Sequence, residues 1–258
     1  MVLLALLALA APPPPGAPIP REPVALASTY ESTTRELAVA LDGWHPHTGR
    51  VPRDVTLFAL YQQRMVILLS ERRALSTAVL ARLDDPRPLR SEPGARRELG
   101  RLSRPRPLSA FRTGPAESAD RLRGYYLEAQ RRFGVAWNVL AAVNYVESAF
   151  NKLRNASSAG AQGPMQFIPS TWRRYGLGGD VHDPHDAVLG AANYLHANGA
   201  PGNYRRALYR YNPSWLYVDA VLRYASRIRS DPRAYYVFYS RQVFVRTPHG
   251  LVRLTGPR

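Results

Sequence analysis

The chain has 258 residues, of which 45% are hydrophobic, and its 35 basic and 19 acidic side chains give a formal net charge of +16. This apolar content is enough for a packed core, which excludes a globally disordered chain, and the absence of cysteine excludes disulfides, thiolate metal sites and a cysteine nucleophile. The charge predicts attraction to polyanions, but no zinc-finger or RNA-binding motif accompanies it, so we expect no specific nucleic-acid partner.

Residues 1–22 are predicted to be a signal peptide followed by a proline-rich linker. The run VLLALLALAA at positions 2–11 is too short to span a bilayer and suits the apolar part of a signal peptide, with a small-residue cleavage site at Ala8-Leu9-Ala10. The basic residues that usually precede such a run are missing, and a buried helix is the alternative. Because APPPPGAP follows directly, we favour export to the periplasm or the cell exterior.

Residues 23–118 are predicted to be a helical accessory region that ends in a connector. Helices are expected over residues 23–44 and 54–83, the second with apolar residues at helical spacing and Asp54 as its N-cap. Residues 84–118 are rich in Pro, Arg, Ser and Gly and have few apolar anchors, which is typical of a connector. A helical pair cannot bury its apolar stripe alone, so we expect the two helices to pack on the following module. The alternative is that a partner protein covers the stripe. We expect the helices to supply no catalytic group.

Residues 119–230 are predicted to be an essentially all-helical module. One helix begins at Ala119 and ends at Gly134, and another has Asp183 as N-cap and Pro184 as its first residue. A further helix is expected at residues 203–212. The last is expected at residues 214–230, capped by Ser214 and with these side chains facing inward: Trp215, Val218, Leu222 and Ala225.

Residues 231–258 are predicted to be a β-hairpin tail. Positions 235–255 are rich in β-branched and aromatic residues on both sides of the turn sequence Thr247-Pro248-His249-Gly250. The expected fold class is therefore mainly α, with a short C-terminal β-hairpin.

Glu147 stands at the end of a helix whose residues from Val135 to Val146 are almost all apolar. With 3.6 residues per turn, Leu140 and Val143 lie on the same face as Glu147, so burial should raise the pKa of its carboxyl group. A carboxyl that stays protonated near neutral pH can donate a proton to the leaving oxygen of a glycosidic bond. The alternative, favoured by helix position alone, is a surface glutamate paired with Lys152 or Arg154.

The segment SSAGAQGPMQF at residues 157–167 favours the catalytic interpretation of Glu147 over the surface ion pair. Its small residues Gly160, Ala161 and Gly163 let a ligand or another segment approach the backbone closely. Carbohydrate recognition needs groups that both donate and accept hydrogen bonds. For each such residue here, a role in a turn or a helix cap fits equally well. The candidates are Ser157, Gln166, Tyr211 and Asn212.

These blocks together make residues of about 119–230 resemble the catalytic domain of soluble lytic transglycosylases, with goose-type lysozyme as a more distant relative. The resemblance rests on Glu147-Ser148 followed by Phe150, on the pattern from Ser157 to Gln166, and on Tyr211-Asn212. The stretches GPMQFIPSTW and GDVHDPHDAVLGAANYL are also similar to those of wall-cleaving transglycosylases. Several ordered blocks are a more specific signal than one motif.

The resemblance implies a lysozyme-like helical domain in which Glu147 is the catalytic acid and base, and peptidoglycan strands are the substrate. It further implies that Ser157 and Gln166 line the glycan groove, that Met165 helps to shape it, and that Tyr211 and Asn212 form the family's Tyr-Asn segment. Here Pro213-Ser214 replaces the Ala-Gly that usually follows, which puts the role of Asn212 in question. The implied reaction closes a 1,6-anhydro ring on N-acetylmuramic acid and needs no cofactor.

Two alternatives remain open. A true hydrolase of the muramidase type would use a second carboxylate, for which Asp180 and Asp183 are the candidates, although both have the pattern of turn and cap residues. A non-catalytic wall-binding or assembly protein would only hold the glycan. A metal site would draw on three histidines, but their spacing favours solvated or capping roles, so no metal is expected. They are His182, His185 and His196.

Overall fold

The computed structural model describes residues 11–48, 50–157 and 159–257, and most of the predicted signal peptide lies outside these residues. The described chain is mainly helical, with one antiparallel two-stranded sheet near its C-terminus, which confirms the predicted fold class. The α-helices are α1 (Pro23–Asp42), α2 (Arg53–Glu71), α3 (Arg73–Leu80), α4 (Glu92–Leu102), α5 (Ala119–Phe133), α6 (Trp137–Ser148), α7 (Pro169–Tyr175), α8 (Pro184–Ala197), α9 (Tyr204–Tyr211), α10 (Trp215–Ser230) and α11 (Arg233–Ser240); the strands are β1 (Phe244–Thr247) and β2 (Gly250–Arg253). Short 3₁₀ helices lie at Pro46–Thr48 and Leu108–Ala110.

Helix α6 is the centre of the molecule. It packs against α5, α8, α10 and α11, and its residues from Val139 to Val143 are fully or almost fully buried. A helix that is apolar on nearly every side is stable only when other helices surround it. The packing of these helices around α6 therefore fixes the position of its end, where Glu147 lies.

The boundaries of α5 and α8 follow from local sequence, as predicted. Gly134 ends α5 in the left-handed conformation with φ of +70°, which glycine adopts without strain. The carboxylate of Asp183 accepts hydrogen bonds from the backbone N–H groups of His185 and Asp186, and Pro184 occupies the first turn of α8.

The accessory helices pack directly on the module, as the sequence analysis expected. Leu37 and Ala40 of α1, Phe58 of α2 and Ala95 of α4 belong to the same hydrophobic core as α6, α8 and α10. A second core lies between α1, α2 and α3, around Met65. The apolar stripe of the accessory region is thus buried within this chain.

Two predictions about the accessory region were wrong. The helix expected over residues 54–83 is interrupted at Arg72, whose φ of −122° and ψ of 87° are not helical, and the N-cap position of α2 is Pro52 rather than Asp54. The expected connector contains α4, which packs on α10 and α2. Helix α4 has few large apolar residues, and ion pairs help to hold it in place: Glu92 pairs with Arg241 at 2.6 Å and Glu98 with Arg223 at 3.1 Å.

The hairpin prediction was right for residues 244–253 and wrong for the residues before them. Strands β1 and β2 pair with Thr247 opposite Gly250 and Phe244 opposite Arg253. The aromatic run before them forms α11 instead, because Tyr235, Phe238 and Tyr239 recur at helical spacing and are buried in the main core. In the described residues no helix combines the length and the apolar character required to cross a bilayer.

Candidate active site

Glu147 lies in the last turn of α6, and the residue as a whole is half-buried. Its Oε1 accepts a hydrogen bond of 2.6 Å from the hydroxyl of Tyr217 on α10. Burial raises the pKa of Glu147 to about 7, and the hydrogen bond from Tyr217 opposes that rise only in part. Near neutral pH a large share of Glu147 is therefore protonated and able to donate a proton.

Two tyrosines are close to this carboxylate. Burial raises the pKa of Tyr217 and Tyr211 well above the usual range, and the negative charge of Glu147 raises both further. The hydroxyl of Tyr211 is directed to the carbonyl oxygen of Met165, to which it donates a hydrogen bond of 2.5 Å. The two hydroxyls remain neutral donors, and Tyr211 ties the end of α9 to the loop that carries Met165 and Gln166.

The backbone after Glu147 turns through three consecutive residues in the left-handed region. Ala149, Phe150 and Asn151 have φ values of +51°, +62° and +65°, a conformation that is costly for residues other than glycine. The buried Ser148 hydroxyl holds the turn by donating to the carbonyl of Pro164 at 2.7 Å and accepting from the N–H of Asn151 at 2.8 Å. This bracing fixes the Pro164 segment beside the end of α6.

The same segment is braced from inside the core. The side-chain amide of Asn144 donates to the carbonyl of Pro164 at 2.9 Å, and its oxygen accepts from the hydroxyl of Tyr126 at 2.6 Å. Because all of these groups are buried and bonded, their geometry relative to Glu147 is closely defined.

Ser157, Gln166 and Gly163 shape the loop that follows. The Ser157 hydroxyl accepts from the N–H groups of Ala159 and Ala161 at 3.2 and 3.0 Å, and the Gln166 amide donates to the carbonyls of Asn155 and Gly163 at 3.1 and 3.0 Å. A Cβ at Gly163 would lie 1.9 Å from the carbonyl oxygen of Val181, so only glycine fits there. Both predicted glycan-binding side chains therefore also stabilise the loop.

Met165 and Asn212 differ in what they present to the surface. The Met165 side chain is fully buried in the main core, so it supports the loop from beneath. Asn212 follows α9 directly, and its carbonyl oxygen accepts a hydrogen bond of 2.7 Å from the N–H of Ser214. Its half-buried side chain has no hydrogen-bond partner within the part of the chain that the structure describes.

The structure contradicts the surface ion pair considered for Glu147. The Lys152 ammonium donates instead to the carbonyls of Tyr239 and Arg241, and the Arg154 guanidinium donates to the carbonyl of Pro115 at 2.7 Å. No cation of the described residues contributes to the pKa of Glu147, so its carboxyl keeps the raised value.

The two aspartates considered as a second catalytic carboxylate have other roles. Asp183 caps α8, and Asp180 accepts from the backbone N–H of His182 at 2.8 Å. Burial and the Tyr217 hydroxyl account for the pKa of Glu147, with no contribution from another carboxylate of the described residues.

Possible ligand atoms of Asp183, His185 and Asp186 lie within 4.8 Å of one another, but helix capping and the ion pair of His185 with Glu128 at 3.0 Å explain this group. His196 lies eleven residues along α8 from His185, or about 16 Å at the helical rise. The three histidines considered as metal ligands are therefore not gathered at one point.

Tyr217 is a site residue that sequence reasoning missed. The inward face of α10 was predicted to include Trp215, which is 53% exposed, whereas Tyr217 is buried. The stripe Tyr217, Val221, Tyr224 and Ile228 has helical spacing, and choosing that register would have turned Tyr217 toward the core.

Comparison with known proteins shows what the module is similar to. Residues 124–227 match the family model described as Transglycosylase SLT domain, which confirms the resemblance seen in the sequence. The Membrane-bound lytic murein transglycosylase F of Thiobacillus denitrificans is 30% identical over 122 residues, or 44% of this chain and 26% of that protein. The Membrane-bound lytic murein transglycosylase F 1 of Alkalilimnicola ehrlichii is 28% identical over 159 residues, or 56% of this chain and 32% of that protein.

The chain thus spans about a third or less of the length of these curated relatives. No solved structure gives a significant match.

Proposed function

We propose that this chain, whose residues 124–227 form a transglycosylase SLT domain, is a peptidoglycan lytic transglycosylase. It would cleave the β-1,4 bond between N-acetylmuramic acid and N-acetylglucosamine and form 1,6-anhydro-N-acetylmuramic acid. The observation that carries the proposal is the half-buried Glu147, with its pKa raised to about 7 and its Oε1 held by Tyr217.

In the first step Glu147 acts as a general acid. Its protonated carboxyl delivers a proton to the glycosidic oxygen while the bond to the anomeric carbon breaks. Burial keeps the proton on Glu147 near neutral pH, and the Tyr217 hydroxyl fixes the orientation of the carboxyl group.

In the second step the same residue acts as a general base. The N-acetyl group of the substrate stabilises the positive charge on the sugar, and the 6-hydroxyl attacks the anomeric carbon in place of water. Glu147, now a carboxylate, takes the proton of that hydroxyl, which restores the starting state. One carboxylate is sufficient for this cycle, in contrast to the two that most glycosidases use, and no cofactor takes part.

The glycan would lie over the loop from Ser157 to Gln166. Ser157 and Gln166 supply hydroxyl and amide groups at its surface, and Asn212 adds an amide that the protein itself leaves unbonded among the described residues. Met165 shapes the groove from below, and Tyr211 holds Met165 in place. Asn212 follows Tyr211 directly, so it can contact the sugars even though Pro213-Ser214 replaces the usual residues.

The place of action would be the cell envelope, because two relatives are described as membrane-bound murein enzymes. We propose that the chain is exported and associated with the cell wall. Its net charge of +16 favours contact with anionic wall polymers in addition to glycan strands.

Mass spectrometry of the products released from purified peptidoglycan tests the reaction. Anhydro-muropeptides are expected to dominate, and they resist reduction by borohydride because they have no free reducing end. Muropeptides that take up borohydride would show that water is the acceptor, as in a muramidase. The absence of any product would favour a protein that binds the wall without cleaving it.

A further inference from the structure

Three segments that lie outside residues 124–227 meet on one face of the molecule: the end of α4, the residues that follow it, and the hairpin of β1 and β2. The backbone N–H of Arg106 donates to the carbonyl of Arg246 in β1 at 3.1 Å, which places the segment after α4 along the hairpin. Nη2 of Arg246 reaches the end of α4, where a Cβ added at Gly100 would lie 3.5 Å from it. We call the surface formed by residues 101–108 and the outward side of the hairpin the basic face.

The α4 side of the basic face has positive charge without acidic partners. Arg101 and Arg104 are exposed, and neither forms an ion pair among the described residues. Positions 99–116 contain no aspartate or glutamate, and Glu98 just before them pairs with Arg223 at 3.1 Å. The guanidinium groups there therefore remain open to an anionic partner.

The hairpin side of the basic face combines arginine with apolar residues. Residues directly opposite in an antiparallel ladder point to the same side, and the pairs here are Arg246 with Leu251 and Phe244 with Arg253. Arg246 and Leu251 are exposed, whereas Val245 on the other side is buried. The chain has no aspartate or glutamate from α11 onward. The outward side of the hairpin is thus both basic and apolar.

Three leucines lie among these arginines. Leu102, Leu108 and Leu251 are 42%, 52% and 39% exposed, and they are three of the eight large apolar side chains that the described part of the chain exposes. Single exposed apolar side chains are common on protein surfaces, but a group of them with polar residues around it is typical of an interaction site.

The combination of arginines and leucines distinguishes between anionic partners. A polyanion dissolved in water, such as an anionic wall polymer or a nucleic acid, can neutralise the arginines but leaves the leucines in water. An anionic bilayer accommodates both, because guanidinium groups lie at its headgroups while leucine side chains enter the boundary of the acyl chains. We propose that the basic face binds the surface of an anionic lipid bilayer.

Sedimentation of the full chain with lipid vesicles tests this proposal. We expect salt-sensitive binding to vesicles of equal parts phosphatidylglycerol and phosphatidylcholine, and much weaker binding to vesicles of phosphatidylcholine alone. The triple variant Arg101→Gln, Arg104→Gln and Arg246→Gln should bind the anionic vesicles roughly a hundredfold more weakly, since each arginine near such a surface contributes about fivefold. Equal binding to both kinds of vesicle, or no binding to either, would overturn the proposal.

A second triple variant separates the basic face from the net charge. Arg131→Gln, Arg173→Gln and Arg206→Gln remove the same charge from exposed positions of α5, α7 and α9, and together they should weaken binding by less than about fivefold. Circular dichroism checks that both variants fold. If the two triple variants lose binding equally, the net charge and not the basic face attracts the vesicles, and the proposal is wrong.

A fluorescent label at position 108 distinguishes a bilayer from a dissolved polyanion. Because the chain has no cysteine, Leu108→Cys carries an environment-sensitive fluorophore at one position. The control is the same label on Leu177→Cys, at a position that is 49% exposed between α7 and α8.

With anionic vesicles, the emission of the label at position 108 should shift to the blue and be quenched by spin-labelled lipid, and that of the label at position 177 should not change. A label at position 108 that stays in water while the protein binds the vesicles would show a surface for polyanions in general and would contradict insertion into a bilayer. Cleavage of peptidoglycan does not enter these measurements, so they stand apart from the test of the proposed function.

Discussion

The helical module and the accessory helices before it share one hydrophobic core, but they differ in what their sequences reveal. In the module, Glu147, the glycine-containing loop and Tyr211 are brought together by α6, α9 and the turns between them. Helices α1, α2 and α4 add Leu37, Phe58 and Ala95 to that core and contribute no hydrogen bond to the Glu147 side chain among the described residues. The comparison shows that the groups proposed to perform the chemistry occupy a smaller part of the chain than the core that supports them.

Replacing Glu147 with Gln should have the largest effect. The amide is nearly isosteric but cannot deliver a proton, so cleavage of peptidoglycan should fall by roughly 10²- to 10⁴-fold while the protein remains folded. A zymogram and the rate of muropeptide release measure the loss, and circular dichroism checks the fold. Clearing equal to that of the unchanged protein would show that the chemistry does not depend on Glu147.

A substitution in the accessory region should lower stability and leave cleavage unchanged. Phe58 of α2 is 3% exposed in the shared core, so Phe58→Ala should lower the free energy of unfolding by about 3–5 kcal/mol. Cleavage by the folded variant, assayed well below its melting temperature, should be unchanged. Urea unfolding measures the first quantity, and Val24→Ala at an exposed position of α1 is the control. A loss of activity in the folded variant would mean that the accessory helices also position the site.

Tyr217 allows the comparison to be made inside the module. Tyr217→Phe removes the hydrogen bond to Oε1 of Glu147 and should lower kcat/KM about tenfold below pH 7, since a hydrogen bond to a carboxyl that becomes charged is worth about 1.5 kcal/mol. Because this bond lowers the pKa of Glu147, its loss should also move the alkaline limb of the pH profile to higher pH. Tyr224→Phe, at another buried position of α10, should leave that limb in place.

The smallest expected effect concerns stability and pH. The pKa of Glu147 is raised from 4.5 to about 7 by folding, so the folded state favours the protonated form. Its contribution to stability is complete below pH 4.5 and is lost as the pH rises through 7. Glu147→Gln does not titrate and should gain about 1 kcal/mol relative to the unchanged protein between pH 5 and pH 8, a value reduced for solvent screening of a half-buried group.

Urea unfolding at the two pH values measures that difference. The exposed Glu22→Gln is the control and should show a much smaller change. A constant difference between the Glu147→Gln variant and the unchanged protein would mean that the Glu147 carboxyl is not desolvated in the fold.

The sequence determined the elements whose signals are local. Asp183 and Pro184 specify the start of α8, Gly134 ends α5, and the apolar run before Glu147 requires a buried helix, because caps and periodicity act over a few residues. The ordered blocks from Glu147 to Asn212 likewise predicted the match of residues 124–227 to the transglycosylase SLT domain model.

Other features were decided only by the tertiary structure. Helix α4 is stabilised by contacts with α10 and by the pairing of Glu92 with Arg241, which are 149 positions apart. No local sequence pattern predicts such a contact. The aromatic run at Tyr235–Ser240 is helical because the core of α6 accepts its rings, although the same composition suits a strand. Tyr217 and Glu147 are 70 positions apart in the chain and meet because α6 and α10 pack together. The burial and the hydrogen bond that result determine the pKa of Glu147.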